Sequence, residues 1–116
     1  MTVRPAADIG MTLEAVDTPC LLLDLDAFER NLDRLTESLR GRTIKVRPHA
    51  KSHKCIEIAR RQMEAGAVGI CCQKVSEAEI FLAGGIDNVL ITNEIIGKRK
   101  VTALASLAIR HPKATI

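Results

Sequence analysis

The chain has 116 residues and a mass of 12.7 kDa, with 47% hydrophobic and 27% charged residues, which is enough for one domain and unlike disorder, collagen or coiled coil. Aromatics make up 2%, Phe28 and Phe81 with no Trp or Tyr, so a core must come from Leu, Ile, Val and Ala, and base-stacking platforms for single-stranded nucleic acid are lacking. The net charge of +3 is too small to define a partner.

Residues 1–16 mix small and polar side chains without period and read as a leader arm, followed by one domain over 17–116. The opening lacks the positive-then-apolar layout of a secretory signal, and no apolar run approaches the ~20 residues of a membrane span; a cytoplasmic location with no membrane partner is expected. Thr18-Pro19-Cys20-Leu21-Leu22-Leu23-Asp24 is a short apolar run that predicts a buried strand. Leu25, Phe28, Leu32, Leu35 and Leu39 recur at helical spacing and predict an amphipathic helix that stops near Gly41. Residues 43–47 alternate and predict a second strand before Pro48. Residues 52–65 predict a helix ended by Gly66.

Residues 67–72 predict a third strand. Ser76 and Glu79 have capping-box spacing, with Val75 and Ile80 as the hydrophobic staple, and the helix they open is predicted to end at Gly84-Gly85. A strand over 88–92, a helix over 97–110 and the opening of a further strand at 114–116 complete the pattern. Strand and helix alternate, and the apolar strands suit a parallel sheet covered on both faces. No G-x-G-x-x-G follows a strand, which disfavours a dinucleotide-binding sheet. The fold expected is therefore α/β, roughly the first half of a TIM-type (β/α) barrel, and the chain is read as a piece of a longer protein.

The four cysteines show no C-x-x-C spacing, so buried thiols are expected instead of disulfides or a zinc site. Arg40, Arg42, Lys45, Arg47, Lys51, Lys54, Arg60 and Arg61 form a basic stretch that suits a small anionic cofactor; a nucleic-acid partner is not expected. In a βα barrel Lys51, Gln73 and Asn93, each following a strand, share one rim. A lysine there can be the nucleophile that condenses with an aldehyde, or simply a solvated residue at a strand–helix junction. His49 and His53 are four apart, but Pro48 places His49 before the helix, and with Cys55 they match no standard zinc site. Gln73 either hydrogen-bonds a ligand or caps its loop. Asn93 reads as a turn residue, and Lys98-Arg99-Lys100 as a solvated face.

Arg47-Pro48-His49-Ala50-Lys51-Ser52-His53-Lys54, after the opening run at 18–24, resembles the pyridoxal-phosphate (PLP) lysine motif of the D-threonine aldolase and D-serine dehydratase family. That family is a branch of the alanine-racemase-like, fold-type III PLP enzymes. Residues 69–79 resemble in particular its 3-hydroxyaspartate aldolase and dehydratase members. The resemblance covers about residues 17–116 and implies a PLP-dependent lyase acting on D-configured β-hydroxy amino acids, either as aldolase or as dehydratase. It makes Lys51 the Schiff-base lysine, with His49 and Gln73 as candidate cofactor contacts. It also implies a divalent metal whose ligands lie in parts of the family fold beyond these residues, and leaves room for a homodimer of the full-length protein. Two other readings are a non-catalytic PLP-binding homeostasis protein and an inactive truncated product.

Overall fold

The computed structural model describes residues 5–116, so part of the expected arm over 1–16 lies outside the described residues. The described chain forms two compact units divided between Asn31 and Leu32. In the first, a single 3₁₀ turn spans Leu13–Ala15, and helix α1 begins at Leu25. Asp24 starts that helix, its carboxylate accepting the Ala27 N–H at 2.8 Å. The strand predicted over 18–24 is not formed: the run pairs with no other segment among the described residues, and Leu21, Leu22 and Leu23 are 101%, 64% and 50% exposed. An extended segment becomes a strand only when a neighbouring strand lies alongside, and an exposed run without one has water for its backbone groups, whatever its apolar content.

Helix α1 ends at Ser38, slightly short of the stop expected near Gly41, with Leu39 in the turn that follows. The second unit contains α2 (Ile56–Glu64), β1 (Ile70–Cys72), α3 (Val75–Ala83), β2 (Val89–Ile91) and α4 (Lys98–Arg110). Strands β1 and β2 are parallel, with Ile70 opposite Val89 and Cys72 opposite Ile91. Single parallel bridges extend this ladder on both sides, His49 to Cys71 and Asn88 to Thr115. The segment predicted as a strand over 43–47 thus runs beside β1, but its bridge comes later. Pro48 lends its carbonyl to Cys71 N–H at 2.7 Å but has no N–H to return, so regular pairing does not develop.

Two further predictions shift for local reasons. The helix expected from Ser52 starts at Ile56, because Lys54 adopts a left-handed backbone (φ 50°) and closes a turn by donating its N–H to Ala50 O at 2.8 Å. At its other end α2 stops as predicted: Gly66 (φ 99°) donates to Met63 O at 2.9 Å and Ala67 to Gln62 O at 3.0 Å, the paired bonds of a Schellman cap. The Ser76–Glu79 capping box is not formed. Helix α3 begins earlier, with Lys74 as cap residue and no side-chain cap bond, and Glu77 is the acid that reaches back.

One face of the ladder carries the core. Ala50, Ile70, Cys72 and Val89 are fully buried, together with Ala59 of α2, Ala78 of α3 and Leu107 of α4, while Phe81 is 1% exposed. Alanines at the contact positions let the helices approach, and Phe81 supplies the bulk that the aromatic-poor composition leaves scarce. On the alternate positions, Arg47 crosses Gly69 to donate to the Asn88 side chain and, at 3.3 Å, to its carbonyl. A Cβ at Gly69 would stand 2.2 Å from the Arg47 guanidinium and 2.4 Å from Asn88 O. Gly69→Ala is therefore expected to lower unfolding stability by about 1–3 kcal/mol through overpacking, measured by urea denaturation.

Candidate active site at the strand ends

The ladder bonds that join Pro48, Cys71 and Ala50 continue to Thr92, whose N–H reaches Cys72 O at 2.9 Å. Side chains beyond these bonds gather at the C-terminal ends of the strands. His49 is half-buried, and its Nδ1 accepts the Lys51 N–H at 3.2 Å. Its Nε2 lies 2.9 Å from Thr92 Oγ1, which itself donates to Cys72 O at 3.1 Å. With Nδ1 accepting, the pattern of bonds fits the Nε2–H tautomer, which donates to the Thr92 oxygen while the hydroxyl proton goes to the Cys72 carbonyl.

Lys51 sits in the turn that follows, exposed, and its amine forms no ion pair or hydrogen bond among the described residues. The neighbouring cation is committed elsewhere: Lys54 Nζ lies 3.4 Å from Glu77. The other oxygen of Glu77 accepts the Gln73 N–H at 2.8 Å. One carboxylate therefore ties the residue after β1 to the turn carrying Lys51. Burial pushes the Glu77 carboxyl up, but the Gln73 N–H and the Lys54 ammonium outweigh it and hold it below the ordinary carboxylate range.

Gln73 is half-buried, and its side-chain amide makes no hydrogen bond among the described residues. Asn93 is exposed in the loop after β2. His53 is turned away from this group of side chains. Its Nδ1 accepts Cys55 N–H at 3.1 Å, its ring meets Phe81 edge-on at 6.4 Å, and desolvation lowers its pKa. All four cysteines are free. Burial, with the Glu77 charge adding to it, raises the Cys72 thiol to about 11, which leaves it inert as a nucleophile. Arg40, Arg60 and Lys54 of the basic stretch each pair with an acid, namely Glu37, Glu57 and Glu77.

Glu77 and Thr92 are the residues that sequence reasoning missed. Glu77 carried a readable signal, an acid in the first turn of a helix soon after a strand end, but the Ser76–Glu79 spacing matched a better-known pattern. Thr92 showed only as a hydroxyl closing an apolar strand.

A family profile, alanine racemase N-terminal domain, matches residues 23–112. The chain is 51% identical over 108 residues to D-threonine aldolase of Arthrobacter sp., covering 93% of this chain and 28% of that protein. It is 46% identical over 99 residues to 3-hydroxy-D-aspartate aldolase of Paracoccus denitrificans, covering 84% of this chain and 26% of that one. Among solved structures, D-threonine aldolase from Filomicrobium marinum superposes with a TM-score of 0.87 at 57% identity, over 93% of this chain and 29% of that one.

Because the folded Glu77 carboxyl lies below the unfolded value of 4.5, its contribution is complete above that pH and disappears as pH falls through the folded value. Glu77→Gln is expected to unfold more easily than the parent at pH 7, with the difference shrinking below about pH 4. Urea titrations at several pH values measure it.

Proposed function

As a member of the alanine racemase N-terminal domain family, the chain contains, we propose, the cofactor-lysine portion of a PLP-dependent lyase, with Lys51 forming the Schiff base. The observation that carries this reading is the Lys51 amine, unpaired among the described residues, on the turn after the His49 bridge, where the Lys51 backbone bonds His49 and His49 in turn bonds Thr92. An exposed and uncommitted amine, on a turn tied through the Lys51 N–H to His49 and through the Lys54 side chain to Glu77, fits the anchoring of an aldehyde cofactor. His49 and Gln73 are the candidate contacts to that cofactor. When bound, PLP supplies an electron sink for charge developing at the substrate α-carbon. A lysine amine at this position can also hold or return a proton at that carbon.

The chain spans 28% of the length of the Arthrobacter aldolase, so substrate and reaction type are inferred for the whole protein. The substrate proposed is a D-configured β-hydroxy amino acid, and cleavage between Cα and Cβ to glycine and an aldehyde is favoured by the names of the two aldolase relatives. The sequential, all-parallel neighbours from His49 to Thr115 support reading residues 17–116 as the opening part of a (β/α) barrel, with 1–16 as an arm. Among the described residues no group of His, Cys, Asp and Glu is arranged to hold a metal ion, and the described residues do not fit a metal site. No described helix is long and apolar enough to cross a membrane; a cytoplasmic location is part of the proposal.

The test uses the full-length protein, treated with PLP, reduced with borohydride and mapped by peptide mass. Label is expected on Lys51, and Lys51→Ala should lose both the visible absorption and turnover, the latter by roughly 1000-fold or more. Label on Lys45 or Lys54 would overturn the assignment. Ammonia and a 2-oxo acid in place of glycine and aldehyde would overturn the cleavage.

A further inference from the structure

We propose that Thr92 is a positioning residue for Lys51, acting through the His49 imidazole; the inference rests on the reading of Lys51 as the cofactor lysine. Thr92 follows Val89-Leu90-Ile91 at the end of β2. Valine would continue this apolar run with nearly the same shape, so the hydroxyl is what distinguishes the residue there. That hydroxyl has two partners on two other segments, Cys72 O at 3.1 Å and His49 Nε2 at 2.9 Å. The ring passes the constraint on, because its Nδ1 accepts the Lys51 N–H at 3.2 Å.

The directions of these bonds agree with one another. The single Thr92 proton goes to the Cys72 carbonyl, the oxygen accepts from Nε2–H, and Nδ1 is left as the acceptor that the Lys51 N–H requires. The ring is thereby fixed in one tautomer and one orientation, and a run of three bonds crosses from β1 and β2 to the backbone nitrogen of Lys51. Without the hydroxyl, Nε2–H loses its acceptor and the ring is free to turn. Lys51 then keeps its place in the turn but loses the bond that orients its backbone. No covalent step is assigned to Thr92 or to His49.

The experiment compares full-length parent, Thr92→Val, Thr92→Ser and Thr92→Ala. In the cofactor-free proteins, nitrogen-15 spectra of the His49 ring report the tautomer directly. PLP titration gives affinity, and borohydride trapping gives the site of attachment. In Thr92→Val and Thr92→Ala the single-tautomer signature is expected to give way to a mixture, and PLP attachment at Lys51 to weaken about tenfold, the equivalent of one hydrogen bond. Thr92→Ser should restore both to within about twofold of the parent. Should Thr92→Val fail to fold, Thr92→Ala carries the same comparison. An unchanged His49 spectrum, unchanged PLP affinity, or a serine variant as weak as the valine one would overturn the role of Thr92 while leaving Lys51 as the labelled residue. Label on another lysine in the parent itself would overturn the Lys51 reading first, and this inference with it.

Discussion

The site depends on a few backbone hydrogen bonds that hold successive segments side by side. Cys71 donates to Pro48 O and Ala50 to Cys71 O, each at 2.7 Å, and Thr92 donates to Cys72 O at 2.9 Å. Residues far apart in the sequence reach one edge because these bonds fix their relative height. From the helices, Glu77 reaches that edge, bonded to Gln73 N–H and Lys54. The helices cover the other face, where Ile70, Cys72 and Val89 are sealed from water and hold the ladder in place.

The two faces of the ladder divide the labour between stability and chemistry. Toward the helices lie small and aliphatic side chains, whose burial is the main source of stability in a chain with two aromatics. On the alternate positions lie Arg47, His49, Asn88 and Thr92, each hydrogen-bonded across to another segment. Polar groups in such a row are satisfied by one another and so keep fixed directions. Glu77 extends the same logic around the edge, since one carboxylate answers both a backbone N–H and an ammonium. Lys51, without a partner among the described residues, differs from these paired groups in chemical availability.

Much of this was readable in the residues. The helices announced themselves by apolar spacing, and Gly66 stopped α2 where its freedom at positive φ allowed. The motif around Lys51 carries the resemblance to the family that the profile over residues 23–112 shows. The strands were harder to place, because whether an apolar run becomes a strand depends on what lies next to it. Residues 18–24 have the composition and no paired neighbour among the described residues, while the 43–47 segment has the neighbour and meets Pro48. The capping box failed for a different reason, since Ser76-Glu77-Ala78-Glu79 contains two acids and periodicity cannot say which one turns back. Relations such as Thr92 to His49, between residues 43 positions apart, have no local signature at all.

The crossing of Arg47 over Gly69 has a bearing on how the segments find their alignment. A parallel ladder this short has little in its own bonds to distinguish one offset from the next, and sliding by a single residue would exchange the covered and uncovered faces. Any such slide would bring Val68 or Ile70 beneath the guanidinium, where even one carbon collides. The missing side chain thus acts as a notch: the arginine drops into place at one setting and is obstructed at the settings on either side.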